Sequence, residues 1–251
     1  MHQARLALPD QMIDPFWERT VTINFAILGA GRIGQVHARA VAGNENAALR
    51  AVADPMPEAA DAIADRHGCD IRTINEIADS SDIDAVVICT PTDMHADLIE
   101  QFARAKKAIF CEKPIDLDAA RVRECLDVVA AEDGFLMVGF NRRFDPHFMA
   151  VRKAIDEGQI GTPEMAIITS RDPGAPPSEY IQRSGGIFRD MTIHDFDMAI
   201  FLMGEMPETV QAISSVLTDP VIEPLGDFDT ASVIMKMASG KQVTITNSRR
   251  A

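Results

Sequence analysis

A glycine-rich turn between an apolar run and a helix-like segment is the feature that most constrains how this chain folds. The run Ile23–Leu28 passes directly into residues 29–34, which read Gly-Ala-Gly-Arg-Ile-Gly. Gly29 permits a tight turn, Gly31 lets the backbone approach a pyrophosphate, and Gly34 lets a helix pack closely on the strand. The free N–H groups at the start of that helix attract phosphates. The pattern therefore predicts a strand, a dinucleotide-binding turn and a helix in succession.

Asp54 closes the next strand-like run, twenty residues beyond Gly34. A carboxylate at this place accepts hydrogen bonds from the 2′-hydroxyl of an adenosine ribose and repels a 2′-phosphate. The sequence thus favours NAD over NADP as the cofactor, and a glycine turn in another kind of α/β protein is the alternative. The predicted cofactor-binding residues of this segment are Gly29, Gly31, Arg32, Ile33, Gly34 and Asp54.

From residue 23 to residue 140, short apolar runs alternate with amphipathic stretches. This alternation indicates right-handed βαβ units and a doubly wound parallel sheet that is covered by helices on both faces. The predicted strands span 23–28, 49–53, 85–90, 108–111 and 136–140, and the predicted helices span 33–41, 57–66, 95–105 and 118–131.

The pattern changes after about residue 145. Helices are expected at 145–157 and 190–203, and longer strands at 164–170, 210–217, 230–237 and 242–247, the last two joined by a hairpin turn. We therefore expect an α/β fold in which a doubly wound parallel sheet precedes an α+β part with a mainly antiparallel sheet. The expected division is an N-terminal extension at 1–22, a nucleotide-binding domain at 23–144 and a substrate-binding domain at 145–251, with the ligand site in the cleft between the two domains.

The overall charge and composition exclude several classes of protein. A formal net charge of −14 argues against a surface for nucleic acid or anionic membrane, because phosphate binding needs clustered Lys and Arg. The sequence has neither an apolar run long enough to span a membrane nor the apolar core of a signal peptide in its first 22 residues. The four cysteines form no C-x-x-C pair, so we expect reduced thiols in a cytoplasmic protein. No spacing of His, Cys or carboxylates indicates a metal site.

Two short motifs follow predicted strands at the edge where open α/β sheets bind ligands. One is residues 90–95, in which His95 is a candidate for contact with a nicotinamide or ribose. The other is Glu112, Lys113 and Pro114, in which the Lys113 ammonium is suited to donate to a substrate oxygen and to favour developing negative charge there. The alternative is a surface lysine paired with Glu112.

Asp190 and His194 are four residues apart at the predicted start of a helix, so they share one face. A carboxylate beside an imidazole fixes the ring's tautomer and stabilises its cation, which suits the ring to take a hydroxyl proton near neutral pH. On spacing alone, a helix-terminal pair with a half-buried, non-catalytic His194 is an equal alternative.

Gly185 and Gly186, just upstream, indicate a turn with close backbone approach. The pair Arg142-Arg143 predicts either contact with cofactor or substrate oxygens or a solvated basic turn.

Four segments together carry a resemblance to a known family. Residues 29–34, 112–114, 139–144 and 185–194 resemble the corresponding motifs of the Gfo/Idh/MocA oxidoreductases, and the resemblance extends from about residue 23 to the last residue. The segment 185–194 resembles the branch of that family that oxidises inositol. The resemblance implies reversible oxidation of a ring hydroxyl of a cyclic polyol, such as myo-inositol to its 2-keto form, with NAD⁺ accepting hydride.

The resemblance also implies roles for individual residues. His194 would take the hydroxyl proton, Asp190 would orient and charge-balance His194, and Lys113 would hold the reacting oxygen. Asn141 and Arg142 fall where the family lines its sugar pocket, together with Asp190 and His194. The cofactor-binding positions implied in this half of the chain are Thr90, Pro91, His95, Glu112 and Lys113.

The sequence departs from the family pattern at both ends. Family members usually start a few residues before the first strand and continue for several tens of residues beyond position 251. We therefore expect a truncated chain with an exposed sheet edge after its last strand. Relatives form dimers or tetramers through the second-domain sheet, so a homo-oligomer is expected for the full-length family. Two further functional hypotheses remain, a dehydrogenase of another polyol, aldose or inositol isomer and a nucleotide-binding regulator without turnover.

Overall fold

The computed structural model describes residues 22–251, so the predicted extension at 1–22, apart from Thr22, lies outside the described residues. The chain divides into two compact units, one ending at Val87 and one beginning at Ile88. The predicted domain boundary at 144/145 and the predicted cleft stay predictions.

The first unit is built around three parallel strands. β1 pairs with β2 in parallel, and β2 pairs with β3 in parallel. Apolar side chains from β1, β2 and the helix after β2 form its core, as the alternation of apolar and amphipathic segments predicts. Its elements are β1 (Ile23–Leu28), α1 (Arg32–Ala42), β2 (Ala47–Ala53), α2 (Pro57–His67), β3 (Asp70–Ile71) and α3 (Ile74–Asp79).

The chain then continues the same sheet, whose strand order is β3-β2-β1-β4-β5-β6. This six-stranded order, with the crossover between β3 and β4, is the doubly wound arrangement that the sequence predicts. β5 and β6 pair in parallel, and α4 and α5 separate the strands along the chain. The elements are β4 (Ala85–Ile88), α4 (His95–Arg104), β5 (Ala108–Cys111), α5 (Ala119–Ala131) and β6 (Leu136–Val138).

A second, four-stranded sheet follows, with the order β7-β10-β9-β8. β10 pairs in parallel with β7 and antiparallel with β9, and β9 pairs antiparallel with β8, so the sheet is mainly antiparallel as predicted. One face packs on α8, where Ala199 and Met203 join Val233, Met235 and Ile245 in one buried apolar cluster. The elements are α6 (Pro146–Asp156), β7 (Met165–Arg171), α7 (Ser178–Ser184), α8 (Ile193–Met203), β8 (Pro207–Ser215), β9 (Thr230–Met237) and β10 (Gln242–Ser248).

Two expectations for this part of the chain are wrong. The sequence predicts one helix at 190–203, but α8 is preceded by a π-helical turn at Phe188–Thr192, and α7 is an additional short helix. The expectation of an unpaired edge at the last strand also fails, because β10 lies inside the sheet between β7 and β9. The period-two pattern predicts each strand but not its place in the order, which long-range pairing decides.

No helix between residues 22 and 251 is both long and apolar enough to cross a membrane.

Candidate active site

The glycine turn after β1 has the geometry that a dinucleotide needs. Gly29 has a positive φ of 94°, a conformation that favours glycine. A Cβ at Gly34 would lie 1.9 Å from the Gly29 carbonyl oxygen, so only glycine lets α1 approach this closely. A Cβ at Gly31 would meet no atom within 4 Å, which leaves open space at the helix start.

The N-terminus of α1 is available to bind an anion. Its N-cap, Gly31, offers no side chain, and the first turn contains no acidic residue. The first N–H groups of a helix lack partners within the helix and carry the positive end of its dipole. The space at Gly31 together with these donors fits a pyrophosphate.

Asp54 stands at the end of β2 and is tied to the glycine turn. Its Oδ2 accepts a hydrogen bond from the Ala30 backbone N–H at 2.6 Å, and its Oδ1 accepts one from the Met56 N–H at 2.8 Å. Each carboxylate oxygen has a second lone pair, so the fixed carboxylate can still accept a bond from a ribose hydroxyl. These contacts in the first unit fit NAD.

The predicted cofactor residues of the second unit surround the ends of β4 and β5. His95 is buried, and its Nδ1 and Nε2 lie 2.7 Å and 2.8 Å from the carbonyl oxygens of Pro114 and Thr90. Both ring nitrogens therefore contact backbone, and His95 links two loops. The Thr90 hydroxyl is buried without a hydrogen-bond partner among residues 22–251, as expected for a group that meets a ligand. The Glu112 carboxyl lies against Gly139, where a Cβ would be 3.3 Å away.

Lys113 and Asp190 form a largely buried ion pair. The Lys113 Nζ lies 3.1 Å from the Asp190 Oδ1 and also donates to the Asp190 backbone carbonyl at 2.9 Å. Each side chain is only 14% exposed. The alternative of a surface lysine is therefore wrong, and the second unit brings together two of the three predicted catalytic residues.

Asp190 receives two further donors. The Tyr180 hydroxyl donates to Oδ1 at 2.8 Å, and the Arg249 guanidinium lies 3.4 Å from Oδ2. Burial alone would raise the pKa of the Asp190 carboxyl, but Lys113, the Tyr180 hydroxyl and Arg249 outweigh it and hold the pKa below its ordinary value. Asp190 is therefore ionised at neutral pH.

His194 does not have the partner that the sequence predicts. The hydrogen bonds of the Asp190 carboxylate go to Lys113, Tyr180 and Arg249, and the His194 Nδ1 is buried without a hydrogen-bond partner among the described residues. The expected stabilisation of an imidazolium is wrong. Burial, with the nearby cations of Lys113 and Arg142, lowers the pKa of His194 to about 4.

This environment sets the protonation state of His194. The ring is neutral near pH 7, so it can accept a proton. The Phe140 and His194 rings form a T-shaped contact, with their centroids 6.3 Å apart and their planes at 84°.

The two arginines after β6 are both paired with carboxylates of α8, so a freely solvated basic turn is wrong. Arg142 pairs with the fully buried Asp195, which also accepts from the Ser170 hydroxyl at 2.7 Å. Arg143 pairs with Asp197 at 2.6 Å. Asn141 begins the same turn and is exposed. The structure thus holds Arg142 near His194, where it contributes to the low pKa of the imidazole.

Sequence reasoning missed three polar residues of this cluster. Tyr180 and Arg249 contact Asp190 directly. Burial raises the pKa of the Asp172 carboxyl, whose charged neighbours are Arg249, Asp190, Arg142 and Asp195. No motif spacing in the sequence indicates any of the three, because Tyr180 lies on α7, Arg249 follows β10 and Asp172 follows β7. The one available clue is that Tyr180 is the only tyrosine in the chain.

Among residues 22–251, no group of three or more His, Cys, Asp or Glu side chains is arranged to hold a metal ion.

A glycine turn at a helix start, a carboxylate at the end of the second strand and a doubly wound parallel sheet define a dinucleotide-binding Rossmann fold. The model of the oxidoreductase family with an NAD-binding Rossmann fold matches residues 23–140, and the model of the Gfo/Idh/MocA C-terminal domain matches residues 148–251. The chain belongs to the Gfo/Idh/MocA oxidoreductase family.

Several members of this family are similar over most of the chain. An inositol 2-dehydrogenase of Rhizobium meliloti is 68% identical over 92% of this chain and 70% of its own length. A myo-inositol 2-dehydrogenase of Thermotoga maritima is 42% identical over 91% of this chain and 69% of its own length. The crystal structure of scyllo-inositol dehydrogenase from Lactobacillus casei, with bound NAD(H) and scyllo-inositol, superposes with a TM-score of 0.84 at 30% identity, over 92% of this chain and 70% of that one.

Proposed function

We propose that this protein is an NAD-dependent dehydrogenase that oxidises a ring hydroxyl of a cyclic polyol, myo-inositol to 2-keto-myo-inositol. The observation that carries the proposal is a neutral His194 beside the buried ion pair of Lys113 and Asp190. The 68% identity to an inositol 2-dehydrogenase supports inositol as the substrate.

His194 is the proposed proton acceptor. Oxidation of a carbinol removes the hydroxyl proton and a hydride from the carbon that bears it. Burial lowers the pKa of His194 to about 4, so its imidazole is neutral at pH 7 and has a lone pair for the proton. Because a base of this pKa is weak, it takes the proton as the hydride leaves. NAD⁺, when bound, accepts the hydride.

Lys113 is the proposed oxygen-binding group. Its ammonium has three donors, of which two are used on Asp190. Among residues 22–251 the third donor has no acceptor, so it can donate to the reacting oxygen and stabilise the negative charge that develops as the proton leaves. Asp190 keeps this ammonium in place, because it supplies both acceptors, its side-chain carboxylate and its backbone carbonyl.

The remaining predicted site residues complete the proposal. In the first unit, Gly29, Gly31, Gly34 and Asp54 bind the pyrophosphate and ribose, and the backbone of Arg32 and Ile33 supplies N–H groups at the helix start. The Thr90 hydroxyl, which has no hydrogen-bond partner among the described residues, is the proposed cofactor contact of the second unit, together with Pro91, His95 and Glu112. Asn141 and Arg142 offer an amide and a guanidinium to substrate hydroxyls.

A polyol panel tests the proposal. NADH formation is followed with myo-inositol, scyllo-inositol and an aldose, for the wild type, for Lys113→Met and for Lys153→Met as a control with an exposed, ion-paired lysine. We expect turnover with myo-inositol, a loss of about 100-fold or more in kcat for Lys113→Met, and wild-type rates for the control. NADH binding without turnover on any of these substrates would favour a nucleotide-binding regulator.

We further propose that the chain forms a homo-oligomer through the face of the second sheet that α8 leaves uncovered. Ile167, Ile213 and Ile234 are more than half exposed on β7, β8 and β9. Pairing aligns Ile167 and Ile234 across the sheet through Thr244. An apolar row of this kind is typical of a surface that is buried against a second copy.

We also propose a cytoplasmic location. All four cysteines are free thiols, two of them buried, which fits a reducing compartment.

A further inference from the structure

Arg249, directly after β10, is a buried cation. Its side chain is 1% exposed, and its guanidinium lies 3.4 Å from the Asp190 Oδ2 and 3.3 Å from the Asp227 Oδ2. Its backbone N–H donates to the Asp229 carbonyl at 2.8 Å, which fixes the start of the side chain. A charge removed this far from water is retained only when it is paired.

Asp227 is itself anchored independently of Arg249. Its Oδ1 accepts a hydrogen bond from the Ile187 backbone N–H at 2.8 Å. Gly186 has a φ of +78°, and a Cβ there would lie 2.5 Å from the same oxygen. Gly186 thus makes room for the Asp227 carboxylate. This one carboxylate binds both the Ile187 backbone N–H, in the turn before Asp190, and the Arg249 guanidinium, which binds Asp190.

The two oxygens of Asp190 have separate partners. Oδ1 receives the Lys113 ammonium and the Tyr180 hydroxyl, whereas Oδ2 receives Arg249. The charges alternate from Lys113 through Asp190 and Arg249 to Asp227, and their sum is zero. Without Arg249 only Oδ1 keeps its partners, and rotation of the carboxylate about χ2 loses its restraint at Oδ2, since a terminal sp³–sp² torsion is by itself only weakly restricted.

We propose that Arg249 is a positioning residue that, through Oδ2, holds the Asp190 carboxylate in the orientation that presents Oδ1 to Lys113. The role in turnover rests on the proposed dehydrogenase function, but the orientation of Asp190 does not. Among the described residues, the Arg249 guanidinium pairs with Asp190 and Asp227 and not with Lys113, so its effect on Lys113 passes through Asp190.

The kinetic test compares Arg249→Met and Arg249→Lys with the wild type. Arg121→Met is the matched control, since Arg121 also bridges two carboxylates, Asp97 and Glu100. We expect Arg249→Met to lower kcat about 100-fold with little change in KM or NADH affinity, because the ammonium that Asp190 positions is misplaced. Arg249→Lys restores part of the loss. Wild-type kcat in Arg249→Met overturns the proposal.

The pH profile separates positioning from general loss of structure. The charged or titratable groups around Asp190 are Lys113, Tyr180, Arg249, Asp172 and His194. Removing the Arg249 cation raises the pKa of the Asp190 carboxyl, so its titration, followed by NMR of ¹³C-labelled aspartate, moves to higher pH in Arg249→Met and returns in Arg249→Lys. An unmoved Asp190 titration contradicts the proposal.

A second readout needs neither cofactor nor turnover. Because Tyr180 is the only tyrosine, ¹³C-tyrosine labelling gives one phenol signal, from the hydroxyl that donates to the Asp190 Oδ1. We expect this signal to shift in Arg249→Met and to return toward wild type in Arg249→Lys. If the wild type oxidises no polyol, the proposed function fails while this measurement still decides the role of Arg249.

Arg249→Met leaves Asp227 buried without its cation and is therefore at risk of misfolding. The double variant Asp227→Asn with Arg249→Met removes the charge pair together and keeps the balance of charge. A folded double variant with the Tyr180 signal and kcat of the wild type overturns the proposal. A shifted signal and lower kcat in that folded variant support it.

Discussion

The Lys113 ammonium binds Asp190 twice, at the side-chain Oδ1 at 3.1 Å and at the backbone carbonyl at 2.9 Å. The double contact joins the loop after β5 to the π-helical turn before α8. It also means that the position of Lys113 depends on the conformation of Asp190 as well as on its charge.

Asp190→Asn separates these two contributions. Asparagine keeps the shape and leaves the backbone carbonyl in place, but it removes the charge that Lys113 and Arg249 face. We expect a fall in kcat of about 100-fold, because the ammonium loses its ionic partner and its fixed position. Steady-state kinetics measure it, and equal rates for Asp190→Asn and the wild type would show that the carboxylate charge is unimportant.

The low pKa of His194 predicts a loss of stability in acid. The pKa is about 4 in the folded protein and 6.5 ordinarily, so between these values the unfolded chain binds more protons. Stability that is present above pH 6.5 is therefore lost as the pH falls toward 4. Melting temperatures of the wild type and His194→Gln should diverge across this window, with the wild type losing more. Parallel curves would contradict the assigned pKa.

Gly31→Ala and Gly34→Ala form a matched pair in the glycine turn. A Cβ at Gly34 would lie 1.9 Å from the Gly29 carbonyl oxygen, so we expect Gly34→Ala to destabilise the protein by about 1–3 kcal/mol or more. A Cβ at Gly31 meets no atom within 4 Å, so Gly31→Ala should fold normally but bind NADH more weakly. Denaturant unfolding and NADH fluorescence titration measure the two effects. Tight NADH binding by Gly31→Ala would argue against a phosphate at this turn.

Asp54→Ala tests cofactor choice. The substitution removes the acceptor for the ribose hydroxyl and also the bond from Ala30 that ties Asp54 to the glycine turn. We expect weaker binding of NAD and relaxed exclusion of NADP. Dissociation constants for both cofactors decide this, and a wild type that binds them equally well would show that Asp54 does not select NAD.

Ile234→Glu tests the proposed oligomer. Ile234 is exposed in the middle of the uncovered sheet face, where a buried carboxylate would oppose pairing with a second copy. We expect a smaller particle by sedimentation, whereas Val221→Glu, at an exposed position outside the strands, should leave the size unchanged. A monomeric wild type would remove the basis for this proposal.

The sequence predicts most of the fold because apolar periodicity is local. β1, β9 and the glycine turn lie where the pattern indicates them. The short helix α7, the π-helical turn and the inner place of β10 depend on tertiary contacts, so no local pattern indicates them.

The same limit applies to the site. The motifs indicate Lys113, Asp190 and His194 one by one, but the partner of Asp190 is decided by residues far away in sequence. Arg249, which contacts Asp190, lies 59 residues after it in the sequence. Sequence spacing pairs Asp190 with His194, while the fold pairs it with Lys113, Tyr180 and Arg249.

Direct oxidation of a ring carbinol, with His194 as the proton acceptor, moves the hydrogen on the carbinol carbon to NAD⁺ as hydride. The most direct measurement follows deuterium from 2-deuterated myo-inositol to the nicotinamide ring by NMR, in the wild type and in His194→Gln. We expect stoichiometric transfer to NAD⁺ in the wild type, and NADH binding without transfer in the variant. NADH that forms without deuterium, or equal transfer by His194→Gln, would contradict it.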